Sequence, residues 1–249
     1  ALHLLQWRGP LALWSNLREA TARESDPPLW RAEVLCLQAR ARVDLRDFAA
    51  AEGLLAQAES LAASHPWVRL QRAFLLEAQD RVDAALGLAR EAMAVHPHPH
   101  YRPGTQAIAQ FLALLGRESD AIGFLQEASR AIQSGAAEAQ LYGLLSEAEL
   151  WEEADAALTR YESFCPMAEP APARWIREQR ARTAYYLGRR SEAVRLLEGC
   201  DEPFYRQFAA RLAEPPPAVE RVRLDVPFVR QDFKTCAPAT LAALARYWR

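Results

Sequence analysis

The chain has 249 residues and a formal charge of −2, with acidic and basic residues interspersed, so it offers no basic stripe for a nucleic acid. Alanine, leucine, arginine and glutamate dominate and only 10 glycines occur, which predicts an all-α protein, because these side chains lose least on entering a helix. No apolar run approaches the ~20 residues of a membrane span, and Cys36, Cys165, Cys200 and Cys236 are far apart and form no CxxC pair, so neither a zinc site nor a disulfide framework is indicated. Each cysteine is expected to be reduced and buried, which places the chain in the cytoplasm; no cofactor and no metal site is indicated.

Residues 1–26 form a degenerate leading unit, with "LALWSNLREATA" as its helix and "ESDPP" as its exit. Five similar segments follow: "RDFAAAEGLLAQA", "DRVDAALGLAREA", "RESDAIGFLQEA", "WEEADAALTRYES" and "RRSEAVRLLEGC". Their common small residue falls at Ala51, Ala85, Ala121, Ala154 and Ala193, at spacings of 34, 36, 33 and 39. Two helical patterns fit each period, and Pro66, Pro97 and Pro166 close units because proline cannot continue a helix. Small residues such as Ala73, Ala85 and Ala92 let paired helices approach, while Leu75, Leu76 and Leu88 fill the gaps. Tyr161 replaces the alanine or cysteine of the other copies in the fourth unit, and "PMAEPAPAR" lengthens the approach to the fifth.

This pattern over residues 30–200 resembles the tetratricopeptide repeat, whose period is about 34 residues. The resemblance implies a right-handed helical-hairpin solenoid whose first helices line a groove for a protein or peptide. Its inner positions map onto Cys36, Arg40, Leu70, Phe74, Glu77, Gln106, Gln110, Arg182 and Tyr185, a mixed surface of aromatic and hydrogen-bonding groups. The lysine and asparagine pattern with which some members clamp a terminal carboxylate is absent. "HPHPH", His96 to His100, reads as a surface loop rather than a metal site, and Trp30, Trp67, Trp151 and Trp175, near helix starts, read as packing residues. "DEPFYRQFAARLAE" places Phe204, Phe208 and Leu212 at helical spacing, so it predicts a last helix that covers the exposed end of the array.

The helical period stops at "AEPPPAVERVRLDVPFVRQ". The expected organisation is an array with its capping helix over 1–213, a proline-rich linker over 214–220, and a distinct segment over 221–249. Val222, Leu224 and Val226 alternate as in a short strand. "QDFKTCAPATLAALARYW" then supplies Gln231, Cys236, Pro238 and Ala239 before an apolar helix, and is similar to the opening of papain-like cysteine peptidases of the bacteriocin-processing type, the double-glycine leader peptidases. Ala237 stands where that family usually has glycine.

The resemblance implies Cys236 as nucleophile and Gln231 as donor to the oxyanion. A cysteine at a helix N-terminus faces unpaired N–H groups and the positive end of the dipole, which favours the thiolate. The family's histidine follows its cysteine, whereas all five histidines here lie at or before His100, so no catalysis is expected from these 249 residues alone. Leu241, Leu244, Ala245 and Trp248 form an uncovered amphipathic face suited to self-association, and the sequence reads as ending inside the first helix of such a domain. The readings that follow are a protein-binding scaffold at the N-terminal side of a thiol-peptidase-like domain, a cysteine peptidase whose histidine lies elsewhere, and a self-sufficient scaffold in which Cys236 is an ordinary helix cysteine.

Overall fold

A computed structural model describes residues 8–17, 25–95, 101–167, 169–198, 200, 202–214, 224, 226, 229 and 236–248. It divides into two compact units, Ala1–Glu214 and Pro215–Arg249. The first is built from α1 (Pro10–Leu17), then five helical hairpins, then α12 (Pro203–Ala213). The hairpins are α2 (Pro28–Asp44) with α3 (Phe48–Ala62), α4 (Pro66–Ala78) with α5 (Val82–Val95), and α6 (Tyr101–Leu114) with α7 (Glu118–Ile132). α8 (Gly135–Glu147) with α9 (Trp151–Phe164) and α10 (Pro170–Tyr186) with α11 (Arg190–Leu197) complete the series. The second unit holds α13 (Cys236–Tyr247). The expected all-α hairpin solenoid is the observed fold, and among the described residues there is no strand. Leu224 and Val226 are described and stand outside any strand; Val222 lies outside the described residues.

Each hairpin turns the same way. The residue five before each recurrent alanine has positive φ: Arg46 (64°), Asp80 (61°), Gly116 (71°), Glu149 (60°) and Gly188 (75°). The next residue's N–H returns to a carbonyl five positions earlier, at 2.9 Å from Asp47 to Arg42, 2.9 Å from Arg81 to Leu76, 3.0 Å from Arg117 to Leu112, 2.9 Å from Leu150 to Leu145 and 2.8 Å from Arg189 to Ala184. This is the Schellman closure, which satisfies the last carbonyls of the first helix and reverses the chain. Proline opens α2, α4, α10 and α12, where its fixed φ suits the first turn and its missing N–H costs nothing.

The five recurrent alanines are all fully buried. Around them run apolar clusters that pass from hairpin to hairpin, such as Ala73, Ala89 and Ala92 with Phe111 and Ile108, and Leu125 and Leu141 with Leu158. Leu75 is buried as expected, with Leu76 and Leu88 packed half-buried at the edge of the core. α1 rests on α2 through Leu13 and through Trp14, whose ring lies 3.7 Å from the Arg42 guanidinium carbon. α12 buries Leu212 with Ala184 and Ala193, and Arg190 ties its end by donating to the carbonyls of Leu212, Arg211 and Glu214. Phe204, expected to cover this end, is 65% exposed instead, because it lies in the first turn of α12, ahead of the contact made by Phe208 and Leu212.

The contact between consecutive hairpins takes two forms. Thirteen residues before the recurrent alanine stand Arg72, Ile108, Leu141 and Arg180. Arg72 on α4 pairs with Glu52 and, at 2.8 Å, with Glu59 on α3. Arg180 on α10 pairs with Asp155 and Glu162 on α9, both at 2.6 Å. Glu52 and Asp155 occupy equivalent places, as do Glu59 and Glu162. At the two inner junctions the equivalents of the first pair are Leu86 and Ile122, buried in the cores that take up Ile108 and Leu141. The outer junctions are thus stapled by charge and the inner ones by apolar packing.

Candidate peptide-binding surface

Eleven residues before each recurrent alanine, one on each first helix, stand Arg40, Phe74, Gln110, Gly143 and Arg182. Gln110 and Arg182 are exposed, Arg40 and Phe74 half-buried, and Gly143 faces open space. The Arg40 guanidinium carbon lies 5.0 Å from the centre of the Phe74 ring, which meets Phe111 edge to face at 5.9 Å. Arg40 Nε also lies 3.4 Å from Asp44 Oδ2. Burial raises the Asp44 carboxyl above its ordinary range, and the pairing with Arg40 opposes that. Glu77 lies half-buried in the last turn of α4.

Gln106 is committed to the fold: its Nε2 donates to the Ala136 carbonyl at 3.4 Å and its own carbonyl accepts from Gln140 Nε2 at 2.9 Å, linking α6 to α8. At the far end, Arg182 lies 5.7 Å from the Trp151 ring and 6.0 Å from the Tyr186 ring. Those rings stack at 4.0 Å and 2°. Tyr185 meets Tyr186 at 5.3 Å and Phe208 at 5.4 Å. Asp44, Gly143, Trp151 and Tyr186 were not legible as part of this surface from the inner-position mapping. Tyr186 stands four residues beyond Arg182 and Asp44 four beyond Arg40, so helical spacing is the signal that finds them.

Cys36 and Leu70 do not line a groove. Cys36 is fully buried among Leu55, Val68 and Leu75, and Leu70 is 1% exposed beside Ala107 and Ile108. Adjacent first helices meet at this position, so the next hairpin covers it. Burial, with Glu33 and Glu59 adding to it, pushes the Cys36 thiol up to about 12.

Of the other cysteines, Cys200 is buried, Cys165 is half-buried and Cys236 is exposed, which corrects the expectation that all four lie inside; all are free thiols. Cys236 is the first residue of α13, with Pro238 in its first turn. Gln231 and the stretch His96–His100 lie outside the described residues. Leu241, Leu244 and Trp248 of the second unit are 67%, 44% and 80% exposed. Among the described residues no group of His, Cys, Asp and Glu is arranged to hold a metal ion, and no helix is long and apolar enough to cross a membrane.

The hairpin period, the buried alanine seam and the repeated left-handed turn define a helical-hairpin solenoid of the tetratricopeptide type. Solved structures of that architecture superimpose on the chain. It resembles PilW, described as a widely conserved type IV pilus biogenesis factor, with a TM-score of 0.61 and 15% identity over 83% of this chain and 94% of that one. Pseudomonas aeruginosa pilF matches with a TM-score of 0.56 and 15% identity over 84% and 93% of the two chains. The tetratricopeptide-like repeats of a kinesin light chain from Podosopora anserina match with a TM-score of 0.56 and 20% identity over 77% and 100%. No protein-family model matches the sequence, and no curated protein matches it.

Proposed function

We propose that the array is a scaffold that binds an extended segment of a partner protein along the row Arg40, Phe74, Gln110, Gly143 and Arg182. The observation that carries this reading is the row itself: the first helices present one accessible residue each at the repeat spacing, with an aromatic anchor at Phe74 and donors at Gln110 and Arg182. Glu77 and Tyr185 border it, while Gln106 supports it from the α6–α8 junction. The test is capture of a partner from cell extract by the chain and by Phe74→Ala and Arg182→Glu variants of unchanged circular dichroism. Loss by either variant supports the row, and undiminished capture by both rejects it.

In the fuller form of this reading the array is the recognition module of a protein with a thiol-peptidase-like domain, to which it delivers a bound segment. What supports this is the similarity around Gln231 and Cys236, together with the exposure of Cys236 at the first position of α13. Alkylation by iodoacetamide at pH 6 tests it: Cys236 reacts faster than free cysteine if the helix end activates it, and no faster if it is an ordinary helix cysteine. The exposed face of Leu241, Leu244 and Trp248 supports self-association through α13. Sedimentation should then show a dimer that Leu244→Glu converts to monomer. The free state of all four thiols is in keeping with a cytoplasmic place for the protein.

A further inference from the structure

Arg40 and Arg182 hold the same place in the first and last hairpins, but their surroundings differ. Four residues on, Arg40 finds Asp44; Arg182 finds Tyr186. Among the described residues no carboxylate pairs with Arg182, so its charge is uncompensated where that of Arg40 is neutralised. The guanidinium carbon lies beside the stacked pair, 5.7 Å from the Trp151 centroid and 6.0 Å from the Tyr186 centroid, where the planar fork can meet a planar acceptor.

The rings beside Arg182 form a continuous run. Trp151 stacks on Tyr186 at 4.0 Å, Tyr186 meets Tyr185 at 5.3 Å, Tyr185 meets Phe208 at 5.4 Å, and Phe208 meets Phe204 at 6.3 Å. Tyr186 is 42% and Phe204 65% exposed, while Trp151, Tyr185 and Phe208 are half-buried. A succession of ring faces and edges is the surface on which proline-rich chain docks, because the pyrrolidine is flat and the chain already extended before it binds. At these spacings the run is longer than one polyproline turn, about 9 Å.

We propose that Arg182 and this run of rings anchor a proline-rich segment of a partner protein that carries a glutamate or aspartate, the carboxylate pairing with Arg182 and the prolines lying on the rings. The inference rests on the reading of the array as a protein-binding scaffold and names the chemistry of what its last hairpin takes.

Three fluorescein-labelled peptides test it on the full chain by anisotropy: a repeat of Pro-Pro-Glu-Pro, the same with lysine for glutamate, and the same with alanine for proline. The first binds at least tenfold tighter than either control. Arg182→Glu reverses the preference towards the lysine peptide, and Phe204→Ser, at an exposed site that leaves the fold intact, weakens the first peptide several-fold. Equal binding of the three peptides, or an acidic preference that survives Arg182→Glu, overturns the proposal. If Phe74→Ala abolishes capture from extract while Arg182→Glu does not, the scaffold reading stands and this subsite falls.

Discussion

Arg46, Asp80 and Glu149 sit in the left-handed region that the hairpin turn demands, where Gly116 and Gly188 meet the same demand without a Cβ. A side chain there crowds its own carbonyl, at a cost of about 1 kcal/mol. Gly116 has nothing within reach of an added Cβ, so Gly116→Ala should lose about 1 kcal/mol from conformation alone, read as a lower urea midpoint at unchanged slope. Asp80→Gly should move the midpoint the other way. Cys36 makes a second prediction. Its thiol is raised from 9.0 to about 12, so the stability it contributes is full below pH 9 and is lost as the pH rises towards 12, where the unfolded chain releases the proton first. Burial raises Tyr142, Tyr161 and Tyr205 as well, which adds to alkaline lability in the same direction. Stability measured from pH 9 upward should fall less steeply in Cys36→Ala than in the parent chain.

The charged and apolar junctions between hairpins should respond differently to solvent. Arg180 is mostly buried, but Asp155 keeps its pair with Arg189 at 3.2 Å and Glu162 is half exposed, so Arg180→Met should cost about 1 kcal/mol. A cycle with Asp155→Asn should show coupling between the two sites, and 1 M salt should weaken the parent more than Arg180→Met. The hairpins themselves were legible because one small residue must recur wherever two helices cross closely, and Ala51, Ala85, Ala121, Ala154 and Ala193 give the period directly. Of the positions mapped from the tetratricopeptide resemblance, Phe74, Gln110 and Arg182 are at least partly exposed, whereas Cys36 and Leu70 are buried, since a repeat fixes which residues are equivalent and not how closely the next first helix covers them. The Arg182 platform draws on α9, α10 and α12, a convergence that no local pattern encodes.

At the scale of the whole chain, each hairpin of the first unit touches chiefly its neighbours, so its stability is close to a sum of hairpins and junctions. Residues 1–214, expressed alone, should keep the helical circular dichroism of the array and melt within a few degrees of the full chain; a large fall in melting temperature would show that the second unit supports the first. The distribution of the arginine staples along this line also determines which rearrangements the gene can survive. A copied middle hairpin, set beside its original, would meet an apolar face with an apolar face. The fifth hairpin set upon the second would press Arg180 against Leu86 and Met93, burying a cation with no counter-charge. Every hairpin shares one backbone, yet the ends are keyed to their own neighbours, so the array can lengthen in its interior while its two termini keep their order.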